Sequence, residues 1–208
     1  DQSGLVLCLN NLAVIAIDRA QHTSAGELLR HALALCETTG DEAPIGTLLN
    51  NLGLATTESG TRREAFRLCR ESRRRLLARG DFQAACWAED NMATVLTLAG
   101  HPSWAIPFHQ VTVRRRIAFG DENGFMWSLE ALAAAWTAAG DTDRAGRTLG
   151  FLAAHRRRLG TIAAPYLLDL TRRRSEAVVR RVGDARFAEL WAEGGALDPA
   201  VVRGWFAD

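Results

Sequence analysis

Shifted against itself by 40 residues, the chain meets its own pattern three times over. Asn10-Asn11-Leu12-Ala13 falls on Asn50-Asn51-Leu52-Gly53, then on Asp90-Asn91-Met92-Ala93, then on Glu130-Ala131-Leu132-Ala133, without a gap. The same shift superposes Ala25, Ala65, Ala105 and Ala145. It also aligns the pairs Gly40-Asp41, Gly80-Asp81 and Gly120-Asp121, and the glycines Gly60, Gly100 and Gly140. A fixed period of this length makes each unit one supersecondary element that cannot bury its apolar face alone and must stack on its neighbours.

A glycine recurs every 20 residues, at the end of each apolar-periodic segment, where a left-handed C-terminal cap is best filled by a residue without a Cβ. Each unit therefore reads as two helices and two turns. Leu48, Leu49, Leu52 and Ala55 follow the three-and-four spacing of one helical face, as do Ala65, Phe66, Leu68 and Cys69 in the second helix. Small residues at Ala13, Gly53, Ala93 and Ala133, answered by the alanine column, let paired helices approach closely. Only 5 of 208 residues are Pro, and Ala, Leu and Arg dominate, residues that lose little on entering a helix. An all-α fold follows.

Leu49, Leu52, Gly53, Ala65 and Ser72 resemble the tetratricopeptide pattern, with Thr56 and Cys69 standing where that pattern has aromatics. The usual unit is about 34 residues, so roughly six extra residues lengthen the second helix or the one that follows. The resemblance implies a right-handed superhelix, an α-solenoid of helix-turn-helix repeats. Four repeats are expected within 1–164, at about 5–44, 45–84, 85–124 and 125–164, with capping helices over 165–208.

In the tail the register holds for one further helix, about 166–182, and then the Gly and Ala columns fail, as in a terminal cap. Two short helices are expected at about 184–193 and 198–207, the last announced by Asp198-Pro199, with Phe187, Trp191 and Trp205 as anchors. Val182-Gly183-Asp184-Ala185-Arg186-Phe187, followed by Trp191-Ala192-Glu193-Gly194 and Leu197, resembles the C-terminal end of large bacterial regulators of the LuxR-type and antibiotic-regulatory groups. What that implies is a sensor or oligomerisation domain beside an ATPase module, with ATP and DNA bound elsewhere in the parent chain. Neither a Gly-Lys-Ser/Thr phosphate loop nor a recognition helix is visible in these residues. The chain opens on Asp1 rather than Met, as expected of a segment of a longer protein.

The first helices of stacked pairs line a concave groove suited to an extended peptide or a helix. Asn10, Asn50, Asp90 and Glu130 form one column expected to face it, with Leu7, Thr47, Trp87 and Trp127 one turn earlier. Asn offers both a donor and an acceptor to a peptide bond, and Trp offers a flat apolar face. Asp90 and Glu130 would favour a cationic partner. The alternative reading has the Asn side chains bonding across helices within the stack and Trp87 and Trp127 filling gaps between units.

Arginine runs at 73–75, 114–116, 156–158 and 172–174 could form a nucleic-acid stripe. The first three fall in last turns of second helices, where positive charge complements the helix dipole and is expected to face solvent. The 25 basic and 24 acidic side chains nearly cancel, so no long-range field draws in nucleic acid or an anionic membrane. The five histidines make no metal-ligand spacing. Cys8, Cys36, Cys69 and Cys86 form neither a Cys-x-x-Cys pair nor a disulfide framework, which fits a reducing cytoplasm. No apolar run is long enough for a membrane span and no signal peptide opens the chain. No nucleophile elbow or Cys/His constellation appears.

The expectation is a non-catalytic domain, without metal or cofactor of its own, that receives a peptide, a protein or another domain of its parent in the groove and is compatible with homodimerisation. Two rivals stand beside it. One is a constitutive scaffold or self-assembly domain with no sensing role; the other is an enzyme or nucleic-acid binder built on the same fold.

Overall fold

A computed structural model describes residues 2–160 and 165–207. They form eleven helices, with no strand among the described residues. The helices are α1 (Gln2–Asp18), α2 (His22–Thr39), α3 (Ile45–Ser59), α4 (Arg62–Ala78), α5 (Phe82–Leu98), α6 (Pro102–Phe119), α7 (Glu122–Ala139), α8 (Thr142–Arg158), α9 (Pro165–Val182), α10 (Asp184–Gly195) and α11 (Pro199–Gly204). The end of the fourth expected repeat, 161–164, lies outside the described residues. The chain divides into two compact units, Asp1–Ala99 and Gly100–Asp208, and the division falls between α5 and α6, inside the third expected repeat.

Glycine and aspartate together set the turns. Gly40, Gly80, Gly100, Gly120, Gly140 and Gly160 all take positive φ, between 64° and 95°, the left-handed region that other L-residues enter at a cost. The Asp that follows three of them caps the next helix: Asp81, Asp121 and Asp141 accept from the backbone N–H of Ala84, Gly124 and Arg144. Gly60 departs from the expected cap. It is extended (φ −128°), and Thr61 supplies the next N-cap by accepting from Glu64. At the equivalent position of the first turn, Ala20 holds φ +58° despite its Cβ.

In the first unit, α1 packs on α2, α2 on α3, α3 on α4 and α4 on α5. A Cβ at Gly53 would lie 2.4 Å from Cys69 Sγ and 3.3 Å from the Cys69 backbone N on α4, so a larger residue there would push against Cys69 where these two helices approach closely. Ser72 Oγ fastens the same pair by donating to the Gly46 carbonyl at 2.6 Å. Val6, Leu9, Ala13, Leu29, Ala32, Cys36, Leu48 and Leu52 belong to one core.

In the second unit, α7 packs on α6 and α8, and α8 on α9 and α10. Phe125, Leu129, Leu132, Leu149, Phe151 and Leu152 fill the centre. At Gly150 an added Cβ would sit 2.2 Å from the Trp191 carbonyl oxygen, and at Gly194 one would sit 1.9 Å from that of Arg147. These glycines let α10 lie directly on the α8 backbone. Phe187 and Trp191 are half-buried against this core. The expected anchor Trp205 is not: it remains exposed, and Val202 on α11 and Phe206 just after it enter the core instead. All eight residues of the two small-residue columns are buried, each within its own unit.

Candidate functional site

The first helices of successive pairs are joined by side-chain amides. Asn51 Nδ2 donates to Asn10 Oδ1 at 2.9 Å, and Asn91 Nδ2 donates to Asn50 Oδ1 at 2.9 Å, each pair 41 residues apart. Asn50 Nδ2 also lies 3.4 Å from Asn51 Oδ1, which links the two rungs of the first unit. The donor is always the residue one past the repeated column, so each rung costs its column residue one acceptor and satisfies a polar group that would otherwise be buried unpaired.

Asn50 is buried by this arrangement, whereas Asn10 is only half-buried. Beside Asn10 lies a cavity of about 410 Å³, lined by Ser3, Val6, Leu7, Asn10, Asp41, Ala43, Pro44, Thr47 and Leu48. Three residues expected to share a face, Leu7, Asn10 and Thr47, are thus brought to one opening. Leu7 and Thr47 are exposed there. Asp41 and Pro44, in the turn before α3, close the opposite side, and sequence reasoning missed them because it looked only at helix faces. The Gly40-Asp41 pair was the available signal: here Asp41 accepts from the Ala43 N–H, and the helix begins at Ile45, later than after the other Gly-Asp pairs.

The acidic half of the column behaves differently. In the second unit Glu130 has no exposed surface. Its carboxylate takes Arg156 Nη2 at 2.5 Å and the Thr171 hydroxyl at 2.5 Å, with Arg174 Nη1 at 3.5 Å. Thr171 is again 41 residues from its partner. The expectation of Glu130 as an open rung for a cationic ligand is therefore corrected: the chain's own arginines on α8 and α9 occupy the carboxylate. Asp90, on α5, is likewise fully buried, and a buried carboxylate is not presented to a ligand in solution. Trp87 on α5 and Trp127 on α7 are each half-buried. They fall in different units.

The arginine runs are also not uniformly solvent-facing. Arg116 is buried and bonds Asp121 at 2.7 Å, Arg156 turns inward to Glu130, and Arg73 holds the buried Glu89 at 2.7 Å. An arginine stem long enough to reach a neighbouring helix finds a carboxylate there, which a helix-end argument cannot foresee. Arg74 and Arg172 do remain exposed. The hydrogen bond from Arg74, helped by Arg75 and opposed by partial burial, holds the Glu71 carboxyl down at about 2, and Arg172 bonds Asp169 and Glu176.

A second cavity, about 470 Å³, lies in the second unit among Gln110, Trp136, Asp141, Asp143, Arg144, Arg147, Trp205 and Phe206. Its charges are internally matched. Arg144 lies over the Trp136 ring at 5.1 Å and 3.4 Å from Asp141, and Asp143 takes Arg186 at 2.6 Å. The exposed face of Trp205 is what it offers a flat apolar group. Nearby, Glu122 joins three helices by binding His155 at 2.6 Å on α8 and Arg203 at 2.5 Å on α11. No group of three or more His, Cys, Asp or Glu among the described residues is placed to hold a metal, and no described helix is long and apolar enough to cross a membrane.

The paired helices, the glycine turns and the small-residue contacts define an all-α fold of tetratricopeptide-like repeats. Residues 5–39 match the family described as tetratricopeptide repeat. Among solved structures, the chain is similar to kinesin light chain nearly identical TPR-like repeats from Podosopora anserina, with a TM-score of 0.63 and 18% identity over 94% of this chain and 95% of that one. No curated protein matches the chain.

Proposed function

We propose that the chain is a non-catalytic binding domain that receives an extended peptide or protein segment at the α1–α3 opening. In this reading it serves as the ligand-binding and oligomerisation domain of a bacterial signal-transducing transcriptional regulator in the cytoplasm. The cavity of about 410 Å³ carries the proposal. Val6, Leu7, Pro44 and Leu48 give it an apolar lining, and Ser3, Asn10, Asp41 and Thr47 give it a few polar groups, the composition of sites that seat one apolar side chain and orient the backbone around it. Asn10 accepts from Asn51 and keeps its own amide N–H groups for a peptide carbonyl. The regulator setting rests on the resemblance of Val182 to Leu197 to regulator tails.

The test is a heptapeptide library displayed on phage and selected against the 208-residue chain. Selected peptides should share an apolar residue, and their affinity should fall about tenfold or more on Leu7→Asp or Thr47→Arg. Equal binding by both variants, with unchanged helical circular dichroism, would remove this site. The exposed apolar residues of α1 favour a second reading, a constitutive scaffold. It predicts an assembly that the selected peptides do not alter.

A further inference from the structure

In the second, third and fourth pairs the first helix meets the helix before it through one column of side chains. In α3 this column is Ile45, Leu48, Leu52 and Ala55, of which the last three are buried in the core that also holds Ala25, Leu29, Ala32 and Cys36 of α2. In α5 the same positions are Ala85, Ala88, Met92 and Val95, all buried, and α5 packs on α4. In α7 they are Phe125, Ser128, Leu132 and Ala135, again all buried, and α7 packs on α6.

The equivalent column in α1 is Leu5, Cys8, Leu12 and Ile15, and it is bare. Leu5, Leu12 and Ile15 are 45%, 52% and 47% exposed, and Cys8 is exposed beside them. No charge interrupts this surface, because α1 carries none before Asp18 at its end. A helix apolar on all sides is normally enclosed on all sides, and an exposed apolar patch of several hundred Å² marks an interaction surface.

A second observation specifies what fits. Asn51 and Asn91 each donate to the helix before them, at Asn10 and Asn50, and Thr171 does the same toward Glu130. Asn11 occupies that donor position in α1. It is exposed and its side chain has no hydrogen-bond partner among the described residues. The α1 face thus combines the apolar column with the amide donor by which α3 and α5 are seated.

We infer that this face docks a helical hairpin of the same repeat type from outside the 208 residues, one whose first helix presents a carboxamide or carboxylate to Asn11 and whose second helix packs small and branched apolar side chains on Leu5, Leu12 and Ile15. A second copy of the chain does not supply that acceptor in the same geometry. Its Asn10, Asn50 and Glu130 already accept from Asn51, Asn91 and Thr171, and its Asp90 is fully buried. The hairpin extends an interface that the protein already uses between its own pairs.

The probe is the full chain carrying one added hairpin in register: residues 1–44, with Cys8→Ser, followed directly by residues 5–208. The readout is the rate at which the remaining Cys8 of the original α1 reacts with a thiol reagent, together with amide exchange along that helix. Both rates should fall by about tenfold or more relative to the unextended chain, as expected when local opening must precede reaction. Leu12→Glu with Ile15→Glu in the original helix should restore fast reaction while helical content is kept. An unchanged Cys8 rate in a folded extended chain overturns the inference. So does a concentration-dependent loss of Cys8 reactivity in the unextended chain that tracks dimer formation in sedimentation, because a second copy is then the occupant.

Discussion

The same sequence register holds neutral amides at Asn10 and Asn50, followed by a buried carboxylate at Asp90, in the first unit and an ion cluster at Glu130 in the second. Asn10 accepts from Asn51 at 2.9 Å on the wall of an opening, and Asn50 accepts from Asn91 at 2.9 Å in the buried interior. Glu130 bonds Arg156 and Thr171 at 2.5 Å with no surface of its own exposed. A neutral amide tolerates partial hydration, so it can border a binding cavity. A buried carboxylate with arginines around it must be sealed, because each ion loses its water and regains the lost energy only through its partners. The difference separates a rung that can border an opening, at Asn10, from one that must be closed off, at Glu130. The second unit has a cavity too, but Glu130 does not line it.

Breaking the charged rung should have the largest effect. Glu130→Ala leaves Arg156 and Arg174 facing each other across a site they formerly shared with a carboxylate, and should destabilise by about 3–5 kcal/mol, read from urea unfolding at neutral pH. Removing a neutral rung should cost less. Asn50→Ala deprives Asn91 of its acceptor, an expected loss of about 1–3 kcal/mol in the same measurement. Equal losses at the two positions would contradict the contrast.

A gain is expected in the first unit. Ala20 sits at φ +58° where later turns have glycine, so Ala20→Gly should raise stability by up to about 1 kcal/mol, the left-handed penalty less the glycine's added unfolded-state freedom. Thiol chemistry sharpens the picture locally. Burial pushes the Cys69 thiol up to about 12, so the folded chain should show fast labelling at exposed Cys8 and none at Cys69 near pH 8. Because the folded value lies above the ordinary one, the stabilisation from keeping this thiol protonated is complete below about pH 9. It is lost as pH rises through about 12.

The smallest effect should come from Glu71. Its folded value is held at about 2, below the ordinary 4.5, chiefly by Arg74. The stability it contributes is present above 4.5 and is lost as pH falls through about 2. Solvent screens this partly exposed site, so Glu71→Gln should flatten the acid limb of a stability-pH profile only slightly.

Much of this was legible in the chain because it depends on local chemistry. Glycine at the left-handed turns, aspartate after it and two small columns need only spacing to be seen. The cross-helix rungs were half-visible: the doublets Asn10-Asn11 and Asn50-Asn51 stand in the sequence, but that the second member donates one pair back requires the packed geometry. Glu130 could not be placed, since whether a long arginine points out or reaches across to another helix is set by tertiary contacts. Gly60 broke the pattern because Thr61 supplies the next cap and α3 ends without a left-handed residue. The division between α5 and α6 has no sequence signal at all, for the period runs through it unchanged.

A double-mutant cycle across Asn50 and Asn91, each replaced by Ala, tests most directly whether inner helices are joined by donors displaced one residue from the repeat. A favourable coupling of about 0.5–1.5 kcal/mol is predicted, with a smaller coupling in the parallel cycle of Asn10 and Asn91, which are joined only through Asn51 and Asn50. Additivity at Asn50 and Asn91 would contradict the account.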